Sequence, residues 1–194
     1  MAQQVLKNIG FLGVSQAANY LLPLVTIPYV TRIVGPENYG LLELATTVML
    51  YFSAVVIYGF SFTATRKIAA FPSKPRRVAR VFSTVLYTRL LLFAFVSGIF
   101  LVLLLTGPTF QQYQRLFLFA FPIVLGWALY PEFLFQGLQK LSVVAFANLG
   151  VKVLAAALIF LLLHQAQHFY FVAAINAFAQ ITIAIATLMY AFKT

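Results

Sequence analysis

The sequence predicts an all-α polytopic membrane protein, a bundle of six transmembrane helices. Three observations carry that prediction. The chain has 194 residues, 63% of them hydrophobic, and a mean hydropathy of +0.97, where soluble domains are about 45–50% apolar. Charged residues make up only 8% of it. Its apolar runs are long, apolar on all sides and separated by clear turn signals. Helices satisfy every backbone group internally in lipid, whereas barrel strands need short alternating segments, so an α-bundle follows.

A spanning helix takes about 20 mainly apolar residues. Runs of that kind are expected at 9–34, 41–65, 81–105, 115–135, 141–163 and 169–192. VGPENYG closes the first run, FPSKPRR the second, TGPT the third, FQGLQK the fourth and HQAQH the fifth. The first run contains Pro23 and Pro28, which remove backbone donors and weaken the helix where a bend would help. Gly35-Pro36 then stops it. That run is too long for a cleavable signal peptide, and no small-residue cleavage site follows a short apolar core, so residue 1 is expected to be mature. Residues 1–194 read as one transmembrane unit.

The net charge is +10, from 13 Lys and Arg against 3 Asp and Glu. Most of these cations flank the spans, which is a topology signal and not a nucleic-acid footprint. Lys7, Arg66, Lys67, Lys74, Arg76, Arg77, Arg80, Lys140 and Lys193 fall on one side, and Arg32 and Arg115 on the other. Both termini are therefore expected in the cytoplasm. There are no cysteines, which excludes disulfides and thiol chemistry.

The remaining cations, Arg89 and Lys152, fall inside spans. At about 1.5 Å per residue they lie about 12 and 16 Å from the starts of their helices. A cation at mid-bilayer costs about 2.5–3.5 kcal/mol on insertion scales. Arg89 has the alternative of snorkelling to the surface. Lys152 reads as facing an aqueous cavity. Asn148 precedes Lys152 by one turn, and Asn176 and Gln180 repeat that spacing in the last run, with Thr187 on the same face. Asn8, Ser15, Asn19 and Thr26 share a wedge about 40° wide in the first run. Glu43, Thr47 and Ser61 mark the second.

Any one of these polar residues also fits an interhelical hydrogen bond, at about 0.6 kcal/mol a pair. Together with two intramembrane cations they predict a polar cavity of positive potential, suited to an anion. The acids Glu37, Glu43 and Glu132 are expected near helix ends, leaving the two cations without an acidic partner in this chain. No His or acidic residues stand at metal-ligand spacing within a span, and no Gly-rich phosphate loop follows a strand. His164 and His168 read as surface residues of an outer loop. No catalytic centre, metal or cofactor is expected, so the chain is not read as an enzyme.

Three stretches carry a resemblance: SQAANYLLPLVTIPYVTRIVGPENYG (15–40), YGFSFTATRKIA (58–69) and YPEFLFQGLQKLSVVAFANLGVKVL (130–154). They resemble the polysaccharide flippases of the O-antigen type, in the multidrug/oligosaccharidyl-lipid/polysaccharide exporter superfamily. The resemblance implies a transporter of the bacterial inner membrane. Such a protein moves an undecaprenyl-pyrophosphate-linked oligosaccharide between leaflets by alternating access. It also implies substrate-facing roles for Arg89, Lys152, Asn19, Asn148, Asn176 and Gln180, and hinge or gate roles for Pro23, Pro28, Arg32 and Glu43. Arg32 would pair with Glu37 or Glu43 as an outer latch. Arg66 matches at motif level only.

That family has twelve to fourteen helices in two lobes, so these residues correspond to the N-terminal lobe. A second lobe would be a further segment or a second copy, and without one the product would be inactive. Gln139 stands where the family often has an acid after Phe-Gln-Gly-Leu. The implied partners are the anionic lipid-linked oligosaccharide, membrane lipids and other glycan-assembly proteins. Two alternatives stay open: a non-transporting membrane scaffold of glycan assembly, and a drug or cation antiporter of the same superfamily.

Overall fold

The computed structural model describes the backbone of residues 2–192 and the side chains of residues 20–142 and 144–192. The chain forms α1 (Ala2–Ile57), α2 (Phe60–Ala70), α3 (Pro75–Thr106), α4 (Pro108–Gln112), α5 (Gln114–Ala120), α6 (Pro122–Leu129), α7 (Glu132–Gly137), α8 (Leu141–Leu162), a 3-10 turn (Ala166–His168) and α9 (Tyr170–Phe192). Among the described residues, five helical stretches are long and apolar enough to cross a membrane: Tyr20–Ile57, Pro75–Thr106, Gln114–Gly137, Val144–Leu162 and Ala166–Phe192. The protein is thus an all-α polytopic membrane protein.

The count of six expected from sequence is not exact, and the difference arises at Gly35. The runs expected at 9–34 and 41–65 join into one helical stretch, interrupted at a single residue with φ 82° and ψ 162°. That conformation is essentially confined to glycine. Pro36 then restarts the helix, where its fixed φ and missing N–H cost nothing. Thr26 and Val30 before the break line the same cavity as Leu42 and Thr46 after it, so the second arm returns along the first. Gly35→Val is expected to lower the melting temperature of the purified protein, because a β-branched residue is strained in that conformation by about 1–3 kcal/mol. An unchanged melting curve would show that the bend tolerates another backbone conformation.

The prolines at 23 and 28 lie within helical backbone, and Gly35 is the non-helical position inside α1. The second run departs from expectation at Tyr58 and Gly59, both at positive φ (39° and 65°). There α1 ends and the short α2 begins. The fourth run is also broken. Pro122 interrupts the ladder between α5 and α6, and Tyr130 turns extended, at φ −73° and ψ 111°, before Pro131. Steric pressure from a following proline drives a residue out of the helical region in just this way.

α9 packs against α5, α6 and α8, and α1 packs against α6 and α8. Small residues on α9, including Ala173, Ala177 and Ala184, are buried at these contacts. Close backbone approach of that kind replaces the hydrophobic driving force that lipid cannot supply. Phe100 and Phe121 stack at 4.1 Å in the largest core cluster. A smaller cluster joins α2, α3 and α7 through Ile68, Phe82 and Phe133. Gly137, of the Phe-Gln-Gly motif, makes that contact possible, since a Cβ there would come within 2.7 Å of Ile68 and 3.1 Å of the Thr65 carbonyl. The opposite face of α3 exposes Leu91, Phe95, Val102 and Leu105, as a lipid-facing surface requires. At the basic turn between α2 and α3, Lys74 and Arg77 sit 5.3 and 4.9 Å from the centre of the Phe71 ring.

Candidate functional site

A cavity of about 360 Å³ lies between both arms of α1, α5, α6, α8 and α9. Most of its wall is apolar. Lys152 of α8, Asn176 and Gln180 of α9, and Glu43 and Thr46 of the second arm of α1 also line it. Pro23 and Thr26 contribute from the first arm, next to a bond from the Thr26 hydroxyl to the Leu22 carbonyl at 2.7 Å. Lys152, Glu43 and Asn176 are exposed and Gln180 half-buried. The polar groups therefore lie toward the open side, while buried residues such as Val30, Met49 and Ile159 close the cavity from within.

Glu43 corrects one sequence-based expectation. It shares the cavity with Lys152, so that lysine is not remote from every acid of the chain. The periodicity of the second run is blind to this, because the fold-back at Gly35 is what carries Glu43 across from α8 and α9. Tyr39, one turn earlier, also lines the cavity. Tyr39 and Thr46 are the lining polar residues that the sequence reading did not single out. Their spacing from Glu43, four residues before and three after, was the available signal.

Gln180 is held by a close helix contact. A Cβ on Gly126 of α6 would come within 2.7 Å of the Gln180 side chain and 3.0 Å of the α9 backbone. A backbone neighbour cannot swing aside as a flexible side chain does. Gly126→Ala should therefore push α6 from α9 and cost about 1–3 kcal/mol, the usual range for overpacking. Thermal unfolding in detergent micelles measures it, and an unchanged midpoint would mean the two helices separate without penalty.

Arg89 lies apart from this cavity. It is only 3% exposed, in α3. Its Nη1 donates to the Tyr130 carbonyl at 2.8 Å and its Nη2 to the Ser61 hydroxyl at 2.8 Å. The guanidinium lies 5.1 Å from the centre of the Phe133 ring, and the Glu132 carboxylate interacts with it electrostatically. The physical logic is local. Pro131 has no N–H and bends the chain, the Tyr130 carbonyl leaves the helical ladder, and Arg89 satisfies it. Broken backbone at membrane depth needs such a partner.

Asn148 also turns away from the cavity, donating to the Tyr130 hydroxyl at 3.1 Å. Tyr130 thus joins Arg89 and Asn148 through its two oxygens. Thr187 is buried and bonds back to the Ile183 and Ala184 carbonyls of its own helix at 2.7 and 3.0 Å. Ser61 serves Arg89. Arg32 and Pro28 are exposed and lie outside the cavity. The side chains of Asn8, Ser15 and Asn19 lie outside the described residues. Of the residues singled out from sequence, the fold collects Lys152, Asn176, Gln180, Glu43, Pro23 and Thr26 in one place.

A helical bundle of membrane-spanning length that sets charged and amide side chains around a cavity defines a class: a polytopic membrane protein with a partly polar cavity between its helices. The chain belongs to the polysaccharide biosynthesis protein family, whose family model matches residues 5–194. It is 36% identical over 137 residues to a protein of Escherichia coli (strain K12) named "Putative O-antigen transporter", covering 70% of this chain and 33% of that protein. A protein of the same name from Shigella dysenteriae is 30% identical over 162 residues, covering 80% of this chain and 39% of its own length. The chain thus aligns with 33 and 39% of the length of these relatives. No solved structure matches it. The long apolar helices and these relatives together make it a multi-pass protein of the bacterial inner membrane.

Proposed function

We propose that the chain is one lobe of a transporter that moves an undecaprenyl-pyrophosphate-linked oligosaccharide across the bacterial inner membrane. The observation that carries this reading is the placement of Lys152, Asn176 and Gln180 on the open side of one cavity within the bundle. A pyrophosphate needs a cation in the membrane, and a sugar needs hydrogen-bonding groups that water would otherwise supply. Both terms occur together here, while the lipid tail can remain in the bilayer. Chemistry is not required: the lobe would work by presenting the cavity to one side and then the other, against an opposed lobe. The cavity volume of about 360 Å³ suits a head group with its first sugar and not a whole repeat unit. The rest of the path would then lie against the second lobe. The basic turns support a cytoplasmic position for both termini.

Export of surface glycan in a strain lacking the wild-type transporter tests this. The complete gene carrying Lys152→Gln should insert normally and lose export, whereas Lys67→Gln, at an exposed position outside the cavity, should export as wild type. Full export with Lys152→Gln would overturn the assignment of the cavity.

The presence of Glu43 in that cavity favours a second reading, a cation antiporter of the same superfamily. Uptake of a cationic dye into inside-out vesicles separates the two. Loss of dye uptake with Glu43→Gln and intact glycan export would support the antiporter, and loss of glycan export alone would support the flippase.

A further inference from the structure

A second cavity, of about 450 Å³, lies at the other end of the bundle from the basic Phe71–Lys74 turn. The Gly35 break, the turn from α3 through α4 into α5, and the start of α9 meet there. Gln111, Gln112, Gln114 and Tyr113 line it, with Arg115 and Tyr170. Asn38 adds a fourth amide from just past the Gly35 break. Among the described residues no carboxylate lines it, and its size falls within the range of about 300–1,000 Å³ typical of small-molecule sites.

Three of the amides are anchored through nitrogen. The Gln111 side chain donates to the Leu105 carbonyl at the end of α3. Gln112 donates to the Tyr113 hydroxyl at 3.2 Å, and Asn38 donates to the Val34 carbonyl at 2.8 Å across the break. Each keeps its side-chain oxygen as an acceptor, and Gln114 and Arg115 add donors. The Tyr170 ring is backed by Phe119, stacked at 5.5 Å and 18°, so it is held as a fixed platform.

Fixed amides beside a fixed aromatic ring match a pyranose. Its hydroxyls take and give hydrogen bonds in its plane, and its C–H face lies on a ring. An acyl chain would leave the side-chain oxygens of these amides without partners. A polyphosphate would meet one cation, Arg115, among acceptor oxygens that repel it. Resting on the transport reading above, we propose that this cavity is a saccharide site, which holds a sugar of the exported glycan at the outer face of the membrane. The basic residues at the opposite end assign that face.

Saturation-transfer difference NMR on the complete protein in lipid nanodiscs tests this, with the methyl glycosides of glucose, galactose and N-acetylglucosamine as probes and sodium pyrophosphate as the competing chemistry. At least one glycoside should bind. Gln114→Ala and Tyr170→Ala should each weaken it about tenfold, and Lys67→Gln, exposed and outside both cavities, should leave it unchanged. Gln114 is exposed, so its variant keeps the test open if Tyr170→Ala does not fold. No glycoside binding, binding indifferent to Gln114→Ala, or displacement of the glycoside by pyrophosphate would each overturn the proposal. The outcome is separable from the transport reading. Export that depends on Lys152 with no glycoside binding removes this site alone. Glycoside binding that depends on Gln114 in a protein whose export ignores Lys152 keeps this site and removes the transport assignment.

Discussion

Lys152→Gln is expected to reduce glycan export about ten- to a hundredfold with the protein still folded and inserted. Charge-assisted hydrogen bonds contribute about 1.5–3 kcal/mol, and each 1.4 kcal/mol is a factor of ten in affinity. The neutral amide keeps a donor and most of the volume, so packing on α8 should survive, and Lys152 is exposed in the lobe. Lys152→Arg retains the charge and should restore most of the export. A merely structural lysine would give the opposite pattern: lower protein level, with unchanged export per molecule. Measuring surface glycan against membrane-inserted protein, for both variants, distinguishes them.

Arg89→Gln should act in the reverse way, on folding more than on transport. Arg89 holds two partners on different elements, the Tyr130 carbonyl and the Ser61 hydroxyl, each at 2.8 Å. Removing it leaves a buried carbonyl at a proline break with nothing to accept from. The expected cost is about 1.5–3 kcal/mol, the range for a hydrogen bond to a charged group. It would be read as a lower melting temperature and less folded protein in the membrane. Arg89→Lys should rescue little, because an ammonium on a single stem cannot reproduce the planar fork that spans both acceptors. If Arg89→Gln melts as wild type does and export still fails, Arg89 acts on the substrate, as its likeness to the exporter family implies.

The class of the protein was legible without coordinates, because the bilayer imposes one rule on every residue. Long apolar runs must be helical, and Gly-Pro and Pro-rich turns must separate them. The two intramembrane cations were legible for the same reason, since their insertion cost marks them. Lys152, Asn176 and Gln180 could be named in advance because helical spacing alone places Asn176 and Gln180 on one face.

Only the tertiary structure decided which of these residues meet. Arg89 and Lys152 look alike in sequence, yet one caps a broken helix and the other lines a cavity. The difference lies in Pro131, which frees a carbonyl beside Arg89. Asn148 sits one turn from Lys152 and still turns to Tyr130. Glu43 reads as a residue of an outer helix end, and Gly35 folds it into the Lys152 cavity. Periodicity reports the direction of a side chain about its own helix. It carries nothing about the neighbour that direction meets, which is set by bends of one or two residues and by close contacts such as Gly126 against α9.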